Sequence, residues 1–526
     1  MVIKLILVLY ILMMIGIGVC TSKNGSSVDS FVLGGRNVGS WLTAFAFGTS
    51  YFSAVVFVGY AGQFGWNYGL SVVWVGIGNA VIGSLLAWII LGRRTRCMST
   101  HLGASTMPEF FEKRYNSKKI KTASAIIIFV FLMPYTASVY NGLSRLFSMA
   151  FNIKYETCII AMAVLTAVYV ILGGYKATAI NDFVQGIIML GGIAAVVIFA
   201  LNGQGGFTNA VKELKDIEVA NIKSGSLGSV FGPDPINLIG VVILTSLGTW
   251  GLPQMVHKFY AIKSEDAIKK GTIISTVFAL VVAGGSYFLG GLGRTYCSAN
   301  PEEAAATGKT FIETLSNGKL DFDAIVPSML DSCLPEIMIG LVVVLVLSAS
   351  MSTLSSLVLT SSSTVTIDLV RPLAKGKMNE KKEVLVMRIF IALFLVISVV
   401  MALNKNAYIS TLMSISWGAL AGSFLAPFMY GLFSKKITKA AVVTSFAMGV
   451  GLTLVHTVIF SLGFFPEATK AAASLPLNLA SPINAGAITM ILGLIVVPAV
   501  SAVTKNKDQE FVEKAFECYN NKAQSA

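Results

Sequence analysis

The chain has 526 residues, 55% of them apolar and 12% charged, with a net charge of +13 and a mean hydropathy of +0.75. Soluble domains carry about 25% charged residues, so a surface this poor in charge cannot face mostly water, and lipid is the expected solvent. No stretch between apolar runs is long enough for a soluble catalytic domain. No Gly-rich phosphate loop ending in Lys-Ser or Lys-Thr is present, which argues against a kinase or an ATP-driven pump.

A bilayer core of about 30 Å needs about 20 apolar residues in a helix. Runs of that kind fall at 2–20, 41–62, 68–92, 121–150, 155–173, 180–201, 236–256, 272–293, 335–367, 386–404, 408–433, 438–462 and 484–503. The first run follows Lys4 and ends at Cys20. Its length and the Gly18-Val19 pair before Cys20 fit a retained first helix better than a cleaved signal peptide. If the N-terminus is outside, the loops assigned inside are 21–40, 93–120, 174–179, 257–271, 368–385, 434–437 and the tail from 504, and with their flanking residues they hold most of the 39 Lys and Arg. Loop 93–120 alone carries Arg93, Arg94, Arg96, Lys113, Arg114, Lys118 and Lys119. This is the positive-inside pattern. The basic excess therefore reads as topology, N-terminus out and C-terminus in, and not as binding to nucleic acid.

Two runs look built to break. The second reads Thr43-Ala-Phe-Ala-Phe-Gly48-Thr49-Ser50-Tyr51-Phe52-Ser53-Ala54, and the seventh Thr245-Ser246-Leu247-Gly248-Thr249-Trp250-Gly251-Leu252-Pro253. They lie five runs apart. Five is odd, so runs 2–6 and 7–11 form two units of opposite orientation, an arrangement in which solute and ions sit at the breaks. The expected fold is thus an all-α integral membrane protein of about thirteen transmembrane helices, with an inverted five-helix repeat and a broken first helix in each repeat. The expected boundaries are 1–40 for the first helix and its loop, 41–205 for the first repeat, and 206–235 for an outer loop. The second repeat is expected at 236–433, two further helices at 434–503 and a tail at 504–526. Connection 294–334 is expected to hold a short helix near 321–331.

Charge within a span is costly and marks function. Asp182, at the start of the sixth run, is the clearest case. Read alone, it is also compatible with a carboxylate at a helix end, near water and favoured by the helix dipole. The ninth run reads Ser348-Ala349-Ser350-Met351-Ser352-Thr353-Leu354-Ser355-Ser356. Helical spacing puts Ala349, Ser352, Thr353 and Ser356 on one stripe, with Ser355 beside it. Those hydroxyls, with carbonyls freed at a break, suit a hard cation. The same stripe also suits close packing of another helix. The six cysteines show no metal-ligand spacing. Cys297 and Cys333 share an outer loop, which allows a disulfide.

Several anchors then agree with one family. They are Phe31-Val-Leu-Gly34-Gly35-Arg36, Thr49-Ser-Tyr-Phe52-Ser, Gly173-Gly174 with Asp182 and Gln185, Leu252-Pro253-Gln254 with Lys258-Phe259, and Ala349-Ser-Met-Ser352-Thr353. Over about residues 29–435 the sequence resembles the sodium:solute symporters, the group with proline, pantothenate, sialic acid and sodium/glucose transporters. The resemblance implies Na⁺ as coupling ion, a small-molecule substrate, a multi-pass place in the plasma membrane surrounded by lipid, and no enzymatic activity. It implies a sodium site made of backbone oxygens of Thr49 and Phe52, the carbonyl of Ala349 and the hydroxyls of Ser352 and Thr353. Asp182, Ser352, Ser355 and Ser356 match a second sodium site found in some members, which implies two Na⁺ per cycle.

The solute position is expected among Ser50, Tyr51, Ser53, Asn79, Tyr135, Thr245, Thr249, Trp250, Ser416 and Trp417. The proline-type members' aromatic positions are Thr245 and Thr249 here, and their aspartate in the second run is Tyr51. The patterns of the sugar and sialic acid members are not matched either. The expected solute is a small polar one such as an amino acid or a monocarboxylate. Sugar, nucleoside or vitamin uptake, proton coupling through Asp182, and a solute sensor without transport are the alternatives.

Overall fold

The computed structural model describes residues 2–21, 27–151, 153–220, 222–315, 318, 320–375, 378–403, 409–505 and 508–520. The expected loop at 21–40 falls outside them over 22–26, as do the expected run ends at 404 and 408 and the last six residues of the tail. Among the described residues the protein is almost wholly helical. Among the described residues, nine helices are long and apolar enough to cross a membrane, or ten if the bent pair Pro235–Gly251 and Pro253–Ala261 is one span. Isolated aliphatic side chains such as Ile89, Val164, Ile198, Ile273 and Val400 point outward on these helices, as a lipid-facing surface requires. The small strands Cys297–Ser298 and Thr310–Phe311 pair in parallel, and a helix at Phe322–Cys333 fills the place expected near 321–331.

Backbone breaks divide the long helices. Ser40–Tyr51 ends where Phe52 turns extended, at φ −95° and ψ 118°. Pro235–Gly251 ends where Leu252 does the same, at φ −78° and ψ 125°, and Pro253 starts the next helix at a position where its missing N–H costs nothing. The two halves there are bent by 45°. Within the 49-residue Tyr155–Gly203 helix, Gly174 adopts φ 56° and ψ −149°, a conformation open in practice to glycine alone. Its hydrogen faces Phe31, whose carbonyl would lie 2.7 Å from an added Cβ. The segment expected as a loop at 174–179 is therefore helical, and the turn is made at one glycine. The loop expected at 257–271 also starts later. The bend at Leu252 carries Pro253–Ala261 back into the protein, and every residue of that helix is buried.

At the centre lies the Glu336–Thr364 helix, buried almost without interruption from Val342 onward. It packs against Lys118–Phe151, Tyr155–Gly203 and Ser40–Tyr51. Its run of Ser, Ala and Thr lets neighbouring backbones come close. A similar close approach joins Gly65 to Gly290, where a Cβ on Gly65 would fall 1.9 Å from the Gly290 carbonyl oxygen. Cys297 and Cys333 are not bonded to each other.

Candidate cation and solute site

The break at Phe52 leaves the last carbonyls of Ser40–Tyr51 without helical partners, and they face the central helix. Ser352 Oγ lies 3.0 Å from Thr49 O and 2.9 Å from Ala349 O. Thr353 Oγ1 lies 3.2 Å from Thr49 O, 3.4 Å from Phe52 O and 3.1 Å from Ala349 O. All five residues are buried. Two hydroxyls carry two hydrogens, whereas three carbonyls and the two hydroxyl oxygens offer many more lone pairs. A buried cluster with this excess of acceptors is complementary to a small hard cation.

In the second set the structure adds a residue, Lys258, that neighbours both Asp182 and Ser356. Asp182 is fully buried, so it is not a carboxylate at a water-exposed helix end. Ser355 Oγ donates to Ser352 O at 2.9 Å, and Ser356 Oγ shares a hydrogen bond of 2.7 Å with Ser50 Oγ. Lys258 enters from Pro253–Ala261. Its Nζ donates to Ser356 Oγ at 2.9 Å and stands 3.8 Å from Asp182 Oδ2. Sequence reasoning quoted Lys258 among the family anchors but placed it in a loop. A mid-span proline that restarts a helix was the signal that could have kept it inside.

The expected solute residues fall into two groups. Tyr51 donates to Thr245 O at 2.9 Å and stacks on Trp417 with ring centroids 5.8 Å apart, and Tyr135 meets Trp417 edge-on at 5.9 Å. Nearby, Ser246 donates to Asn79 Oδ1 at 3.0 Å. The buried atoms Asn79 Nδ2, Tyr135 Oη, Trp417 Nε1 and Tyr287 Oη form no hydrogen bond of normal geometry with the protein. Tyr135 Oη neighbours the Trp417 indole and Tyr287 Oη neighbours the Asn79 amide, so the four make two adjacent buried polar pairs. Ser246 and Tyr287 were missed because neither stands out within an ordinary span. The second group is engaged elsewhere. Ser53 Oγ accepts from Val55 N, Thr249 donates to Gly83 O, Trp250 donates to Ile82 O, and Ser416 donates to Phe131 O. A separate cavity of about 660 Å³ is lined by Tyr68, Asp234, Asn237, Val241, Pro476 and Asn484 among others, and Val241 stands one helical turn before Thr245.

The family described as "Sodium:solute symporter family" matches residues 31–449. The chain belongs to the sodium:solute symporter family. Among its relatives are the sodium/proline symporters of Staphylococcus aureus strains JH9 and USA300. Each is 29% identical over 463 residues, which cover 86% of this chain and 85% of the relative. A structure described as the substrate-bound, outward-open state of a Na⁺-coupled sialic acid symporter superposes with a TM-score of 0.71. It is 16% identical and covers 96% of this chain and 98% of that one. This symporter is thus a multi-pass membrane protein and not an enzyme. It carries out Na⁺-coupled secondary active transport of a small polar solute.

Proposed function

We propose that this symporter takes up a small amino acid or monocarboxylate together with Na⁺ bound at Thr49, Phe52, Ala349, Ser352 and Thr353. The observation that carries the reading is the five-oxygen cluster between the first broken helix and the central helix. An ion there ties together two elements that must separate for the site to open to either side. The solute is placed against Tyr51, Asn79, Tyr135, Thr245 and Trp417, with the 660 Å³ cavity as its outer approach. The amino acid class is supported by the sodium/proline relatives, and a carboxylate by the cluster of hydroxyl, amide and indole donors at Tyr135, Tyr287, Asn79 and Trp417. The architecture proposed is thirteen spans in an inverted repeat, alternating access about the two breaks, and N-terminus out with C-terminus in. The positive-inside distribution supports that orientation. Asp182, Ser352, Ser355 and Ser356 form a second cation position, whose neighbour in this structure is the Lys258 ammonium.

The test is a thermal-shift screen of the purified chain in NaCl and in KCl, over amino acids, monocarboxylates, nucleosides, sugars and vitamins. A ligand of the folded state raises the apparent melting temperature. The expected hit is an amino acid or monocarboxylate that stabilises in NaCl and not in KCl. A sugar or nucleoside hit, or equal shifts in both salts, overturns the reading.

A further inference from the structure

Lys258 and Asp182 are buried together, at 2% and 0% side-chain exposure. The ammonium touches two of the four groups that a second sodium would use, Asp182 at 3.8 Å and Ser356 at 2.9 Å. Its remaining surroundings are neutral: the Tyr175 ring, with its centroid 5.2 Å from Nζ, and Ser50 behind Ser356. A Na⁺ bonded to Asp182 and Ser356 would lie within a few ångströms of Nζ and compete for the same oxygen lone pairs. Two positive charges that close, away from water and sharing one carboxylate, repel strongly. A buried lysine that already neutralises the carboxylate therefore stands in for an ion.

We infer that Lys258 is a tethered cation that holds the second cation position and excludes Na⁺ from it, so that this symporter carries one Na⁺ per cycle. Lys258 is then the residue that sets the ion stoichiometry, and the match of Asp182 with three serines overstates the number of sodiums. The inference rests on the sodium reading of the Thr353 site. It limits the gradient that the symporter can build. A neutral solute carried with one charge is concentrated about fiftyfold per 100 mV, against more than a thousandfold with two.

The test is equilibrium binding of radiolabelled Na⁺ to the purified full chain, with NaCl as the ligand. The wild type is expected to bind about one ion per protein and to lose it in Thr353→Ala. Lys258→Gln is expected to bind about two, and Lys258→Gln/Asp182→Asn to return to one. Lys258→Arg keeps the charge and keeps one. Two ions in the wild type overturn the inference without reference to any variant. So does Lys258→Gln remaining at one while Thr353→Ala abolishes that one, a result that leaves the sodium site itself standing. An ion that survives Thr353→Ala instead overturns the assignment of the Thr353 site.

Discussion

Thr353 reaches three carbonyls with a single hydroxyl hydrogen, so most of its neighbourhood is oxygen without a proton to share. Removing that hydroxyl takes one ligand from an ion without leaving a buried donor behind. A ligand of this kind contributes about 1.5–3 kcal/mol, so Thr353→Ala should raise the Na⁺ concentration for half-maximal uptake more than about tenfold. Thr353→Ser should stay near wild type, and a Thr353→Ala protein with unchanged Na⁺ activation would remove this residue from the ion site. Asp182 differs, because its partner is also buried. Asp182→Asn leaves the Lys258 ammonium without a counter-charge, and breaking a buried pair costs about 3–5 kcal/mol. The melting temperature should fall clearly in Asp182→Asn and recover in part in Asp182→Asn/Lys258→Gln, a coupling that a double-mutant cycle reads directly. Helical spacing aligned Ala349, Ser352 and Thr353 but fitted a packing face equally well, and the Thr49 and Phe52 oxygens came only from the resemblance to the sodium:solute symporters. Lys258 was not legible in the sequence, because a lysine just past an apolar run reads as the start of a loop. Only the bend at Leu252 puts it beside Asp182.

Helices in this fold are shaped by where their backbone fails. Hydropathy finds the runs because lipid demands them, but it is blind to single-residue turns inside a run or between two. Segment 174–179 carries Lys176 and opens on the second glycine of the Gly173-Gly174 pair, and so reads as a short loop. The chain instead kinks at Gly174 and resumes helix at once. That economy depends on a positive φ and on the absence of a Cβ. Gly174→Ala combines backbone strain of about 1–3 kcal/mol with a Cβ 2.7 Å from Phe31 O. It should lower the melting temperature by several degrees or abolish folded protein. Gly191, on the same helix with open space around its Cα, is the matched position. Gly191→Ala should be neutral or slightly stabilising, and equal effects at both sites would mean that the turn at Gly174 is not as described. The breaks at Phe52 and Leu252 were more legible than Gly174, because glycine with hydroxyls, or proline, in mid-span is a recognisable departure from a plain lipid-facing helix.

At the scale of the whole molecule, the basic end is closed by its own tail. The Gln509–Phe516 helix lies beneath the Arg93–His101 and Met107–Tyr115 helices and the end of Ile409–Phe433. Arg94 sits between the rings of Phe433 and Tyr519, at 4.1 and 4.8 Å. Arg114 lies over Phe516 at 4.9 Å and donates to Gly431 O and Ser434 O, each at 2.8 Å. Lys435 pairs with Glu513, and Lys439 with Asp508. Exposed pairs of this kind contribute at most about 1 kcal/mol each. The guanidinium–aromatic contacts, of which Arg114 on Phe516 is buried, therefore hold the tail, and moderate salt should not release it. On the proposed inverted repeat Arg94 falls in the first unit and Phe433 in the second, so the tail would bridge the two units that the proposed alternating access moves against each other. Cys97 lies under this bridge, with its thiol 3.0 Å from the Cys518 carbonyl. In a chain whose other cysteines are replaced by serine, deletion of the residues after Thr504 should speed labelling of Cys97 by a membrane-impermeant thiol reagent applied from the basic side. Na⁺ binding at the proposed Thr353 site, whose oxygen partners belong to Thr49, Phe52 and Ala349 and not to the tail, should survive the deletion. An unchanged labelling rate would mean that the tail does not cover this face, and lost Na⁺ binding would mean that it also fixes the breaks.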